Sequence, residues 1–250
     1  MKRLFSFVAA LALFGMLAAT PSVLAQSGKI SYGETVKGSL TSAIQSVSYA
    51  FEAKRGDIAV VQMISAASNG LIGGVLTVTD STGSKLADSS PIISGRLGEI
   101  VAVELPSNGE YSINVEGGRS GATGDFEVVL LQAEFLELNT PVESEASSTP
   151  EDQRGRYTNF YVVESRNDVE LRYERLSGNY TPALIVLTLE VGNNLFERAF
   201  LGGSLLTKGS ITIEGSRDFR LVTVGSLGFG SSGRGSVQKA AFRLTLTNAE

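Results

Sequence analysis

Beyond residue 30 several runs place apolar residues at every second position, not at every third or fourth. The clearest run is residues 169–174. Val169, Leu171 and Tyr173 fall on one side of it, and Glu170, Arg172 and Glu174 on the other. That period puts one face of a strand in a core and the other in water. Residues 75–79, 111–115, 210–214 and 219–224 alternate in the same way. Residues 100–105, 126–131, 183–191 and 241–247 are rich in apolar and β-branched residues; the stretch ALIVLTLEV at 183–191 is apolar enough to lie centrally in a sheet. Turn sequences separate these runs at 80–85, 106–109, 192–194 and 215–216, and glycine-rich loops stand at 117–124 and 225–235. Beyond the first 25 residues no stretch carries a helical period. Short strands with turns every ~8–12 residues predict an all-β sandwich architecture.

The pattern occurs twice. Residues 47–65 and 157–176 each read as strand, tight polar turn, strand. One constant offset lays Tyr49-Ala50 on Phe160-Tyr161, Arg55-Gly56-Asp57 on Arg166-Asn167-Asp168, and Ile58-Ala59-Val60 on Val169-Glu170-Leu171. Gly56 and Asn167 then hold the turn position that asks for a positive φ, which Gly and Asn tolerate best. Two tandem β-sandwich domains are therefore predicted, at residues 26–134 and 157–250. Between them, residues 135–156 gather Glu137, Glu143, Glu145, Glu151 and Asp152 with Pro141, Pro150 and several Ser and Thr. That composition solvates easily, and it predicts an exposed linker.

The first half also carries a recognisable order of motifs. Gly-Glu-Thr-Val-Lys-Gly-Ser-Leu stands at 33–40, and an aromatic strand runs into Glu52-Ala53-Lys54-Arg55-Gly56-Asp57. Leu76-Thr77-Val78-Thr79-Asp80-Ser81-Thr82-Gly83 follows, then Leu105-Pro106-Ser107-Asn108-Gly109-Glu110-Tyr111-Ser112-Ile113-Asn114-Val115, and a glycine-rich step into Gly124-Asp125-Phe126-Glu127-Val128. Over most of residues 30–132 this resembles the bacterial pre-peptidase C-terminal domain. The resemblance implies a small jelly-roll-like antiparallel β-sandwich that accompanies secreted enzymes as an accessory module. The second half is similar to the same pattern more weakly. It lacks the opening Gly-x-x-Val-x-Gly strand, and Asn167-Asp168 replaces the Gly-Asp turn. Some members of the family are similar to collagen-binding domains that hold calcium through an acidic N-terminal linker. Residues 26–34 offer only Glu34 as a carboxylate, so that site is not carried over.

The start of the chain differs from the rest. Lys2 and Arg3 precede a nearly unbroken apolar run at 4–19, and Val23-Leu24-Ala25 places small or apolar residues before Gln26. This reads as a secretory signal peptide over residues 1–25, cleaved before Gln26. No later stretch is apolar for long enough to span a bilayer, so a secreted or periplasmic protein is expected. The chain has no Cys, His or Trp. Their absence removes disulfides, thiol catalysis and cysteine metal sites, the usual general base near neutral pH, and the best platform for stacking sugars or cations. The formal net charge is −5, and loss of the leader takes two basic residues with it. A nucleic-acid partner, which needs clustered Lys and Arg, is not expected.

Several short motifs invite chemistry. Residues 228–233 spell G-x-G-x-x-G, but strand-like sequence follows where a helix would have to receive the phosphate. Within that loop Phe229 stands isolated among glycines with Arg234 nearby, and these two are the candidate ligand-binding residues, since aromatics and Arg commonly anchor interfaces. Arg55-Gly56-Asp57 copies a cell-adhesion tripeptide and reads as the hairpin turn. Ser236 and Lys239 have S-x-x-K spacing, which needs a helical turn to bring them together. Asp57, Asp80 and Asp88 could in principle meet around calcium. Glu170, Arg172 and Glu174 read as an exposed charge ladder. No catalytic residue, cofactor or metal site is predicted. The expected function is non-enzymatic: an envelope binding or accessory protein that meets a protein or polymer through its loops. An exported carbohydrate-binding protein is the alternative, and an enzyme working with Asp or Glu alone is the third reading.

Overall fold

A computed structural model describes residues 25–249 apart from 66–69, 72, 90–98, 119–120, 149–156, 179–182, 191–193, 202–206, 218 and 226–237. All but the last residue of the expected signal peptide lie outside the described residues. The first strand begins at Ala25, so a cut before Gln26 falls just inside it.

Among the described residues nine strands come from the first half: β1 (Ala25–Lys29), β2 (Thr35–Leu40), β3 (Ser46–Ala53), β4 (Ile58–Ser65), β5 (Val75–Asp80), β6 (Lys85–Asp88), β7 (Glu99–Glu104), β8 (Gly109–Glu116) and β9 (Gly124–Gln132). Nine follow from the second: β10 (Glu134–Phe135), β11 (Val142–Ser148), β12 (Tyr157–Val163), β13 (Val169–Gly178), β14 (Ala183–Glu190), β15 (Asn194–Leu201), β16 (Lys208–Ile213), β17 (Arg220–Gly225) and β18 (Gln238–Asn248). Sheet I has the order β1-β3-β8-β5-β6 and sheet II the order β2-β9-β4-β7. Sheet III runs β10-β12-β17-β14-β15 and sheet IV runs β11-β18-β13-β16. Adding nine to every strand number turns sheet I into sheet III and sheet II into sheet IV. The all-β sandwich expectation holds. The sheets are not wholly antiparallel, however: β1–β3 and β10–β12 pair in parallel at matching edges.

The period-two pattern does what it predicts. In β8, Tyr111, Ile113 and Val115 are buried while Glu110 and Glu116 are exposed. Those residues join Tyr49, Phe51, Val61, Val101 and Phe126 in a core between sheets I and II. Tyr161, Leu171, Tyr173, Val222, Phe242 and Leu244 form the matching core between sheets III and IV. A third apolar layer lies between the two sandwiches. Ile58, Val60, Ile100, Ala102 and Ala133 meet Phe160, Val162, Phe219 and Leu221 there. The molecule is thus four sheets deep in the order I, II, III, IV. Residues 58–63 of β4 are buried on both faces, which is why its sequence is apolar at successive positions instead of every other one. Gln62 and Thr223 are the buried polar side chains among the described residues. Both share the strand parity of the seam residues, not of the cores.

Two sequence readings need correction. Residues 135–156 are not a linker throughout. Glu134–Phe135 and Val142–Ser148 are strands, Leu136 belongs to the second core, and Ala146 is fully buried. The acidic residues of β11 occupy its outer positions, with Val142, Ser144 and Ala146 turned inward. The acids dominate the composition of this stretch, but they fall on every second residue of a half-buried strand. This strand is the second half's counterpart of β2, so the second pair of sheets begins at Glu134, not at Tyr157.

The hairpin offset is also one residue off on each strand, in opposite directions. The N–H of Ile30 donates to the carbonyl of Ala50, and that of Leu136 to Val162, so Tyr49 matches Tyr161 and not Phe160. The N–H of Ala133 donates to Ile58 and that of Ala249 to Asp168, so Ala59, not Ile58, matches Val169. The second turn is two residues shorter, and a constant offset split the difference. A one-residue slip exchanges the faces of a strand, which is why the sequence overlay set the seam residue Phe160 against the core residue Tyr49. Gly56 has φ +84, as expected, but Asn167 is not among the residues with positive φ. The Ser165 side chain closes that shorter turn by donating to the Asn167 carbonyl at 2.7 Å.

Candidate functional site

Phe229 and Arg234 lie outside the described residues. Their loop leaves β17 at Gly225 and enters β18 at Gln238. Its counterpart in the first half is the other glycine-rich loop, between β8 and β9. That loop and the β2–β3 connection line a cleft of about 330 Å³, walled by Thr41, Ser42, Gln45, Ser46, Glu116 and Gly117.

Local rules shape both walls. The Thr41 hydroxyl accepts the N–H groups of Ala43 (3.2 Å) and Ile44 (3.0 Å), and Thr41 N–H donates to the Ile44 carbonyl at 2.8 Å. This self-closed turn holds the β2–β3 connection. Opposite it, Ala122 N–H donates to the Gly117 carbonyl at 2.8 Å, and Gly118 and Gly121 both sit in the left-handed region. A side chain at Gly117 would collide with the Ala122 carbonyl, so glycine is required for this tight return. Ser46 and Glu116 face each other as the last pair of the β3–β8 ladder. Glu116 is exposed and has no ion-pair partner among the described residues. The described lining therefore offers hydroxyl, amide and peptide groups with one carboxylate. Sequence reasoning missed it. The available signal was that both glycine-rich loops follow a period-two strand at the same point of the repeat.

The outer face of sheet IV carries a row of paired charges. Glu143, Arg243, Glu174 and Lys208 are successive neighbours in register across all four strands. Arg243 reaches Glu143 at 2.5 Å and Glu174 at 3.4 Å, and Lys208 reaches Glu174 at 2.7 Å. A hydrogen bond and charge from Lys208 lower the Glu174 carboxyl below its ordinary range, and Glu143 raises Arg243. Glu170 is lowered by a Ser210 hydrogen bond first and by Arg172 second. Of the expected ladder of Glu170, Arg172 and Glu174, the first two pair along β13, whereas Glu174 pairs across the sheet with Lys208 and Arg243.

The remaining motifs serve the fold. Asp57 accepts from Lys54 N–H at 2.9 Å and from the Gln132 amide at 2.9 Å. Asp80 accepts from the Thr82 hydroxyl at 2.6 Å and from Ser84 N–H at 2.9 Å, which lowers its carboxyl, the Thr82 bond contributing most. Asp88 pairs with Lys85 at 2.7 Å. No group of three acidic side chains able to hold a metal occurs among the described residues, so Asp57, Asp80 and Asp88 do not assemble as a calcium site. Arg55-Gly56-Asp57 is used by its turn, with Arg55 N–H donating to the Asn108 side chain at 2.8 Å. Lys239 lies on β18, where residues three apart point to opposite faces, and Ser236 lies outside the described residues.

No family model matches the chain, and no curated protein matches it. Among solved structures it is similar to the pre-peptidase C-terminal domain of a collagenase from Bacillus anthracis, at 16% identity and a TM-score of 0.34, over 42% of this chain and 94% of that one. It is similar to PliG of Aeromonas hydrophila, a periplasmic inhibitor of g-type lysozyme, at 15% identity and a TM-score of 0.32, over 43% of this chain and 99% of that one. The CUB1-EGF-CUB2 region of human MASP-1/3 matches over 84% of this chain and 99% of its own, at 9% identity and a TM-score of 0.21. Among the described residues no helix is long and apolar enough to cross a membrane.

Proposed function

We propose that this chain is an exported, non-enzymatic binding or accessory protein of the bacterial envelope, built from two copies of one sandwich unit and meeting a protein partner through loops at a sandwich end. One observation carries the reading. A glycine-rich loop recurs at the same strand junction in both halves, β8–β9 and β17–β18, and in the first half it lines a polar cleft. Loops on a rigid scaffold are where binding surfaces are commonly placed. Among the described residues the cleft lining contains no aromatic side chain. That removes the stacking surface a sugar ring would use and ranks a protein partner ahead of a glycan. Export, to the periplasm or beyond, is supported by the leader-like residues 1–25.

The test immobilises the mature chain and presents native envelope proteins to it, with Glu116→Lys and Phe229→Ala as controls. The expected result is a partner retained by the unaltered chain and lost by at least one variant whose circular dichroism is unchanged. Binding indifferent to both variants would remove the loops from the reading. A positive glycan array would put carbohydrate first. A hydrolase activity abolished by one carboxylate substitution would overturn the non-enzymatic part.

A further inference from the structure

The seam joins unlike faces. Sheet II meets sheet III there, and sheet III is the second half's counterpart of sheet I. The contact is therefore head-to-tail, the kind that grows without limit unless something stops it. Its two continuations are the outer faces of sheets I and IV at the ends of the molecule. The hydrogen-bond correspondence described above lets these be compared with the seam position by position. On sheet IV, Asp168, Glu170, Ser210, Thr212 and Thr247 stand where sheet II has Ile58, Val60, Ile100, Ala102 and Leu131. On sheet I, Ser48, Ala50 and Ser112 stand where sheet III has Phe160, Val162 and Leu221.

We propose that the outer faces of sheets I and IV are a matched pair of stacking faces, held apart from a second copy of this chain by polar and charged side chains at the positions that are apolar in the seam. Burying the sheet IV face would desolvate the Glu143–Arg243–Glu174–Lys208 row, a cost that its internal attraction need not repay. Burying the sheet I face would take Glu52 and Glu110 out of water; they are exposed and directly opposite each other, an arrangement of like charges that is unfavourable even in solvent. The apolar faces are used once, inside the chain, and the outer ones end the stack.

The experiment restores the seam chemistry at each end of the full chain and follows mass by sedimentation velocity. One variant carries Glu170→Val, Ser210→Ile and Thr212→Ala on sheet IV. The other carries Ser48→Phe, Ala50→Val and Ser112→Leu on sheet I. Each alone should stay monomeric. Mixed in equal amounts they should give a species of twice the monomer mass and nothing larger. A chain carrying both sets should give a series rising by whole chain masses. Circular dichroism establishes that each variant is folded. Should a triple variant fail to fold, the milder pair Glu170→Val and Ala50→Val is mixed instead, with a weaker two-fold species expected. The proposal is overturned if either variant self-associates as strongly as the mixture, if folded variants stay monomeric when mixed, or if the unaltered chain already stacks end to end.

Discussion

Val60 and Glu170 hold the same place in two copies of one strand order, and only what lies over them differs. Val60 is fully buried beneath sheet III, whereas Glu170 faces solvent and pairs with Arg172 at 2.6 Å. The inward neighbours Ala59 and Val169 are equally buried. The comparison separates two pressures on a strand. Its inner positions are fixed by its own sandwich, and its outer positions by whether another sheet arrives. Sheets II and IV share topology and register, and the outer residues alone decide which is a seam and which an end.

The sharpest way to break this comparison is to exchange the pair. Val60→Glu should cost roughly 3–5 kcal/mol, because a carboxylate would be buried among the apolar side chains of the described seam residues. Glu170→Val should change stability far less, since the bonds it removes, to Ser210 and Arg172, are made at a solvent-facing position where water competes for them. Urea denaturation of both variants checks the asymmetry, and equal losses would mean that the seam is not a packed interface.

A smaller effect sharpens the same correspondence. Lys37 and Glu127 pair at 3.3 Å on sheet II, and the matching positions on sheet IV are Glu143 and Arg243, the same pair with its charges reversed. Lys37→Glu alone should cost about 0.2–1 kcal/mol, and adding Glu127→Arg should recover most of it. A double-mutant cycle in low salt measures this. Failure to recover would mean that the two sites are not equivalent.

The smallest effect concerns Glu99, at an edge of sheet II, where Gly209 is the counterpart on sheet IV. Burial raises the Glu99 carboxyl above its ordinary range, partly offset by a hydrogen bond with Ser89. A raised carboxyl favours the protonated form in the folded state, so its contribution is fully present below the unfolded pKa and is lost as pH rises through the folded one. Glu99→Gln should therefore flatten the stability profile from the ordinary carboxylate range upward, read from melting temperature against pH. A profile unchanged by the substitution would remove Glu99 as its source.

Much of the architecture was legible because alternation is a direct record of one buried face. The strands around Tyr111 and Val169 announce themselves this way, and so does the doubling of the pattern. What stayed hidden has specific causes. The acids dominate the composition of β11, although Glu143 and Glu145 merely decorate the wet side of an alternating strand. β1 and β10 are edge strands whose parallel pairing leaves little mark on sequence. The seam uses the same residue types as the cores, so only the loss of alternation at Ile58-Ala59-Val60-Val61 hinted that both faces of β4 are covered. The overlay slipped because two turns of different length cannot share one offset. The cleft beside Glu116 depends on two loops distant in sequence, and no short motif marks it.

Ala133 is the single residue between β9 and β10, and it is buried in the seam with its N–H donated to the Ile58 carbonyl at 3.0 Å. A protease that nicks tandem proteins at their joints finds no slack peptide here to bind. Freeing Ala133 means peeling it from β4, so trimming one sandwich away would begin by damaging the sheet that the other rests on.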